Sequence, residues 1–327
     1  MASKADISIL IPGALHPHAR ERIERDFDAT LIERSDASLI PAEAARSIRG
    51  IASMTKVDAA LIDALPALEI IANFGVGYDS VDSRHAAARG VMVTNTPDVL
   101  TEEVADTALG LLLNTVRELP RAEAWLRDGH WTGKGNYPFT RLTLRGRKVG
   151  IFGMGRIGLA IARRIEAFGL PVSYHNRRQV EDVAYKWHPS LMELARNVDT
   201  LISVAPGGAS TEKAVNREVL QALGSDGVFV NIGRGSTVDE EALAAALADG
   251  TIAAAGLDVF RNEPKVPEAL LKLDNASLLP HVGSASVHTR KAMADLVVDN
   301  LDSWFASGRA LTPVPETQQV EPRQSGR

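Results

Sequence analysis

Val149-Gly150-Ile151-Phe152-Gly153-Met154-Gly155-Arg156-Ile157-Gly158 joins an apolar run to a segment that continues as Leu159-Ala160-Ile161-Ala162. Its glycines are spaced G-x-G-x-x-G, with Lys148 to Phe152 reading as a strand before them and a helix after them. Each glycine answers a different need. Gly153 permits a tight turn, Gly155 lets the backbone approach phosphates without a Cβ, and Gly158 lets helix pack closely on strand. A pyrophosphate would then lie on the helix N-terminus, where free N–H groups and the dipole favour negative charge. The stretch reads as a dinucleotide cradle, with Met154, Arg156 and Ile157 as further candidate cofactor contacts.

The end of the next strand selects the cofactor, because a carboxylate about 20 residues on would bind the ribose 2′-hydroxyl of NAD. None stands there. Pro171-Val172-Ser173-Tyr174 runs into His175-Asn176-Arg177-Arg178. Two guanidiniums can grip a 2′-phosphate by charge-assisted, bidentate bonds, so NADPH is expected over NADH, with Asn176, Arg177 and Arg178 as candidate contacts and His175 beside the phosphate. The competing reading is that both arginines are merely solvated at a loop, as arginine usually is.

Outward from this motif, strands are expected near Val149, Val172, Thr200 to Val204, Val228 to Ile232, Ala253 to Leu257 and Ser277 to Leu279, matching a doubly wound dinucleotide fold. Upstream, Ile7 to Ile11, Ile51 to Met54, Leu68 to Asn73 and Val91 to Thr94 read as strands alternating with helical stretches, a first parallel α/β lobe. Thr101 to Leu126 reads as a helix, nearly apolar all round from Ala105 to Val116 and hence buried on several sides. Trp131 to Leu144 reads as a loop, Val287 to Phe305 as a helix, and Thr312 to Arg327, polar with three prolines, as a loosely ordered tail.

At 327 residues the chain is long enough for two cores. A formal net charge of -5 argues against a nucleic-acid partner. The absence of cysteine excludes disulfides and thiolate chemistry. Ile7 to Leu15 superficially resembles a secretory apolar core, but Asp6 precedes it and Pro12-Gly13 interrupts it. No apolar run approaches the ~18 residues that span a bilayer, so a cytoplasmic protein without a membrane partner is expected. No spacing of His, Asp or Glu suggests a metal site.

In doubly wound sheets, ligands lie beyond the carboxyl ends of the strands. Three polar residues stand at such ends: Arg234 after Asn231-Ile232-Gly233, Glu263 after Leu257-Asp258-Val259-Phe260-Arg261-Asn262, and His281 after Leu278-Leu279-Pro280. Hydride transfer to a 2-oxo acid creates an alkoxide to be protonated, next to a carboxylate that needs a fixed cation. Histidine suits the acid, typically contributing ~10² to 10⁴ in rate, and a neighbouring carboxylate fixes its tautomer and favours the imidazolium. Arg234 could bind the carboxylate and polarise the carbonyl together. Singly, each has a duller reading as a surface ion pair, a solvated turn carboxylate or a capping residue.

With these residues on the page, the chain resembles the D-isomer-specific 2-hydroxyacid dehydrogenases, and within them the NADPH-linked glyoxylate/hydroxypyruvate reductases. The resemblance runs through Asn73-Phe74-Gly75-Val76-Gly77-Tyr78-Asp79, Asn95-Thr96-Pro97, Glu103-Val104-Ala105-Asp106, the glycine motif, Asn231-Ile232-Gly233-Arg234-Gly235, Gly256-Leu257-Asp258-Val259 with Glu263-Pro264, and Pro280-His281-Val282-Gly283-Ser284. It implies that Arg234, Glu263 and His281 are catalytic, that the N–H groups of Val76 and Gly77 hold the substrate carboxylate, and that Thr101 and Asp258 contact the nicotinamide. It also implies a homodimer whose interface includes the buried helix. Many relatives carry aspartate where this chain has His175 or Asn176, which again favours NADP. The glycines after Phe74 make independent sense, since they expose backbone N–H groups to an anion.

The predicted fold class is α/β with two doubly wound parallel-sheet lobes: a flavodoxin-like substrate domain, residues 1–98 and 287–327, and a Rossmann cofactor domain, residues 99–286. Val204, Ala205 and Pro206, Ile232, Gly233 and Gly283 complete the candidate cofactor contacts, and Met54 and Tyr78 the candidate substrate pocket, whose mouth Trp131 could line. The expected activity is reduction of glyoxylate or hydroxypyruvate. Reduction of bulkier aryl-pyruvates such as hydroxyphenylpyruvate, and a non-catalytic dinucleotide-sensing, corepressor-like role, are the alternatives.

Overall fold

In the computed structural model, which describes residues 4–323, every sheet strand is parallel to its neighbours. The described residues fall into two units, one drawn from Met1–Leu100 and Ser286–Arg327, the other from Thr101–Ala285.

The first unit holds β1 (Ser8–Pro12), β2 (Asp28–Ile32), β3 (Ile48–Ser53), β4 (Ile70–Asn73) and β5 (Met92–Thr94), in the order β2-β1-β3-β4-β5. That is the flavodoxin-like order. The central strands are buried end to end, as expected of a parallel sheet covered on both faces. Asp28–Ile32 is absent from the sequence reading because it is an edge strand, Asp-Ala-Thr-Leu-Ile, with only Ile32 buried.

The tail is better ordered than its composition suggests. Val314 N–H donates to Val93 O at 2.9 Å, and the fully buried Thr317 hydroxyl accepts from Val93 N–H at 3.1 Å. The prolines at 313 and 315 remove donors, so this segment adds isolated bonds to the edge of β5 and no regular strand. The last residues of the tail, 324–327, lie outside the described residues.

The second unit holds β6 (Val149–Phe152), β7 (Val172–His175), β8 (Lys186–His188), β9 (Thr200–Ser203), β10 (Val228–Asn231), β11 (Ala254–Leu257) and β12 (Ala276–Leu278), in the order β12-β11-β10-β9-β6-β7-β8. This is the Rossmann order with one further edge strand beyond β11. β6, β9, β10 and β11 are wholly buried and read clearly in sequence, whereas Lys-Trp-His of β8 offers no apolar run. The helix expected from Thr101 to Leu126 is two helices, Thr101–Arg117 and Leu119–Arg127. The break falls at Glu118, at φ 51°, where Pro120 opens the second helix. Val104, Ala105, Ala108, Leu111, Leu112 and Val116 of the first are buried, as their composition requires. Trp131 to Lys134, expected as loop, belongs to a short helix, His130–Lys134.

Candidate functional site

The glycine motif closes a turn between β6 and the helix Arg156–Ala167. A Cβ on Gly153 would stand 2.8 Å from Ala205 N, and one on Gly158 would stand 2.2 Å from Gly153 O, so both glycines are enforced by neighbouring backbone. Gly155 differs, since a Cβ there would meet no protein atom within 4 Å. It is the helix N-cap and offers no side-chain cap to the free N–H groups that follow.

A cavity of about 770 Å³ opens in front of this turn. It is lined by Phe152, Gly153 and Gly155, by Val204, Ala205 and Pro206, and by Asn176, Arg177 and Arg178, together with Gln179, Val180, Ser210 and Thr211, which are absent from the sequence reading. Arg177 and Arg178 are exposed, and neither forms an ion pair among the described residues. Asn176 Oδ1 accepts from Met154 N–H at 2.6 Å, so this side chain also shapes the turn. His175 is not on the cavity wall: it stacks on Phe152 and its Nδ1 lies 2.8 Å from His188 O, tying β7 to β8. Met154 and Gly158 are buried beneath the turn, with Arg156 exposed and Ile157 half-buried at the helix start. Thr101, first residue of its helix, has a buried hydroxyl without a hydrogen-bond partner among the described residues.

Arg234, Glu263 and His281 follow β10, β11 and β12 and gather in this same unit. His281 Nδ1 lies 2.7 Å from Glu263 Oε2, and Glu263 Oε1 accepts Phe260 N–H at 2.9 Å. Burial pushes the Glu263 carboxyl up, but the His281 and Phe260 hydrogen bonds and the charges of His281 and Arg234 outweigh it and hold it below its ordinary value. With Nδ1 committed, Nε2 is the imidazole nitrogen left to face a substrate. His281 itself sits at φ 53°, a left-handed conformation uncommon for a side chain of this size. Two bonds hold the turn around it: His281 N–H donates to Asp258 O at 2.8 Å, and Val282 N–H to Asp258 Oδ1 at 2.7 Å.

Asp258, expected as a nicotinamide contact, is 1% exposed and also accepts Gly283 N–H at 2.8 Å. Burial raises its pKa against the pull of those N–H groups. A Cβ on Gly283 would come within 2.9 Å of this carboxylate, and buried Ile232 would be its next neighbour.

Arg234 is half-buried, and its Nη1 donates to Gly233 O at 2.9 Å. Its carbonyl is held from below by Asn231 Nδ2 at 2.9 Å and Thr237 Oγ1 at 2.7 Å. Both supports are completely buried, and neither was assigned a role from sequence. A polar residue inside an otherwise apolar strand, Asn231 after Val228-Phe229-Val230, was the available signal.

In the first unit, the loop after β4 turns its carbonyls inward. Asn73 Nδ2 donates to Gly75 O at 3.2 Å and Gly77 O at 3.1 Å, and Asn95 Nδ2 to Val76 O at 2.8 Å. The N–H groups of Val76 and Gly77 donate to no acceptor among the described residues. Consecutive N–H groups left without an acceptor are what an anion cradle requires. Tyr78 donates its hydroxyl to Glu316 Oε2 at 3.1 Å; burial, with the Glu316 charge, pushes its pKa up to about 12. Met54 is 42% exposed, as a pocket residue can be. Trp131, in the other unit, is 60% exposed and donates to Asn136 Oδ1.

Two parallel sheets, a roomy cavity at a glycine turn and a carboxylate-held histidine in the same unit as an arginine define a hydroxyacid dehydrogenase scaffold. The chain belongs to the D-isomer specific 2-hydroxyacid dehydrogenase family, whose NAD binding domain matches residues 109–283. It is 44% identical to glyoxylate/hydroxypyruvate reductase A of Arabidopsis thaliana over 94% of this chain and 99% of that protein. It is 45% identical to the hydroxyphenylpyruvate reductase of Plectranthus scutellarioides, again over 94% of this chain and 99% of that protein. Among solved structures, an NADPH-dependent glyoxylate/hydroxypyruvate reductase from Sinorhizobium meliloti, in complex with NADP and malonate, superposes with a TM-score of 0.95 at 60% identity, covering 98% of this chain and 100% of that one.

Proposed function

We propose that the protein reduces small 2-oxo acids such as glyoxylate and hydroxypyruvate to D-2-hydroxy acids, with NADPH preferred over NADH. One observation carries the reading: the 2.7 Å Glu263–His281 pair stands with Arg234 in the unit that carries the cavity at the glycine turn. The reduced nicotinamide, when bound, supplies the hydride. Gly153 to Gly158 and the uncapped helix receive the pyrophosphate, and the partnerless Thr101 hydroxyl and Asp258 face the carboxamide end. The unpaired Arg177 and Arg178 take the 2′-phosphate.

Arg234 holds the substrate carboxylate, and its guanidinium also draws electron density from the carbonyl; the Val76 and Gly77 N–H groups of the first unit are the other candidate anion donors. His281 Nε2 gives a proton to the carbonyl oxygen while Glu263 holds Nδ1 and stabilises the imidazolium. The carboxylate of Glu263, kept ionised by these partners, lets His281 recover its proton from solvent after turnover.

Among the described residues no helix is long and apolar enough to cross a membrane, and we propose a cytoplasmic protein. Leu119, Leu126, Trp131 and the fully exposed Phe139 leave large apolar groups open on one segment, which supports a homodimer, testable by light scattering.

The deciding assay is a panel of 2-oxo acids with each reduced cofactor, followed by absorbance. Higher kcat/KM for glyoxylate and hydroxypyruvate with NADPH is expected. Higher values for hydroxyphenylpyruvate would favour the aryl-pyruvate reading, which the Plectranthus relative supports. Tight cofactor binding without turnover would favour a sensor.

A further inference from the structure

Glu240 is a buried carboxylate that the proposed reaction does not use. It opens the helix Glu240–Ala248, directly after the capping residue Asp239, and is 9% exposed. Its Oε1 accepts the backbone N–H of Arg261 at 2.8 Å. Burying a carboxylate is costly, and Glu240 feels that cost: burial pushes its pKa up, against the Arg261 N–H and the Arg261 charge. An arrangement kept at such expense raises the question of what it holds.

Arg261 lies on the turn that delivers Glu263. In that turn two successive N–H groups are taken by two different carboxylates, Phe260 by Glu263 itself at 2.9 Å and Arg261 by Glu240. The same peptide presses on the arginine turn. A Cβ on Gly235, the residue after Arg234, would fall 1.9 Å from Phe260 C and 2.2 Å from Arg261 N. The Arg234 and Glu263 turns therefore meet backbone to backbone, without room for a methyl group, at the peptide that Glu240 grips. Because Glu240 follows Arg234 on one short stretch of chain, its side chain closes a clasp: it pulls the Glu263 turn onto the arginine turn.

We infer that Glu240 is a positioning residue for the proposed reduction, clasping the Phe260–Arg261 peptide so that Glu263, and through it His281, is held in register with Arg234. The inference rests on the catalytic reading of those three residues. The charged groups around Glu240 are Arg261, itself paired with Glu212, and Asp239, paired with Lys213 at 3.0 Å, together with Glu263. Arg261 is itself paired with Glu212, and the Glu263 charge is among those that push the Glu240 carboxyl up, so the two carboxylates feel one another.

The test uses the whole enzyme with hydroxypyruvate and NADPH. Glu240→Ala removes the clasp and is expected to lower kcat about tenfold while KM for either substrate stays within about twofold, since a small displacement at the reacting groups costs rate first. Glu240→Gln keeps an acceptor for the Arg261 N–H and should recover most of that rate. It also removes a negative charge near Glu263, so the acid limb of its kcat/KM profile should move to lower pH. Equal kcat for wild type and Glu240→Ala, or equal losses in both variants with an unmoved pH limb, would overturn the inference. If Glu240→Ala does not fold, the Gln variant and its pH profile decide alone. Glu263→Gln is the separating control. If it keeps wild-type kcat, the catalytic reading itself has failed; if it collapses while Glu240→Ala does not, only the clasp has.

Discussion

Gly155 and Gly158 belong to one motif, yet the structure separates their roles, and alanine at each should fail in opposite ways. At Gly158 the added Cβ would overlap Gly153 O at 2.2 Å, more than 1 Å inside ordinary contact, and that oxygen is backbone. Helix and strand must part, at a cost of about 2 to 3 kcal/mol, which lowers the melting temperature of a unit this size by several degrees. At Gly155 the Cβ meets nothing within 4 Å, and φ of -90° suits alanine. Stability should hold or rise by up to ~1 kcal/mol, because alanine restricts the unfolded chain. The new methyl projects where phosphate is proposed to lie, displacing a charge-assisted hydrogen bond of about 1.5 to 3 kcal/mol, roughly 10- to 100-fold in Kd for NADPH. Thermal melts and isothermal titration read both quantities. NADPH affinity unchanged in Gly155→Ala would refute the cradle, and a Gly158→Ala protein as stable as wild type would refute the enforced contact.

Arg177→Ser with Arg178→Ser should raise KM for NADPH at least about tenfold while leaving NADH unaffected, because only the 2′-phosphate distinguishes them; equal effects on both cofactors would argue against the assignment. Arg234→Ala should abolish measurable reduction, and His281→Ala should lower kcat by the ~10² to 10⁴ of a lost acid; a wild-type rate in the histidine variant would refute its role. In the first unit, Asp295 of the helix Val287–Ser307 meets Lys291, His18 and Arg22. Burial raises its carboxyl, but those partners win and take its pKa down from 3.8 to about 2. A lowered pKa means stability that is complete above the unfolded value and is lost as pH falls from about 4 toward 2. Discounted for solvent screening, Asp295→Asn should cost about 1 kcal/mol at neutral pH. That gap should narrow in acid, and a gap of constant size would refute the ion-pair account.

The buried, apolar strands were legible in the sequence. β6, β9, β10 and β11 announced themselves as near-continuous hydrophobic runs, and the glycine turn was legible from its spacing together with the strand before it and the helix after it. Edge strands were not, because Asp28–Ile32 and Lys186–His188 bury so little that their polar residues hide the pattern. Arg234, Glu263 and His281 could be singled out as polar residues after strands. Their supports could not: Asn231, Thr237 and Glu240 act through hydrogen bonds to backbone that only the folded turns bring near. The left-handed His281 likewise follows from tertiary bonds to Asp258, a constraint carried by no local pattern.

The bonds from Val314 and Thr317 to Val93 mean that the amino-terminal sheet is finished by the far end of the chain. During synthesis, the unit encoded within Thr101–Ala285 is contiguous and complete while the earlier one still lacks its closing helix and strap. A chain cut before Val314 would therefore be expected to lose bonds to the edge of the sheet that was translated first.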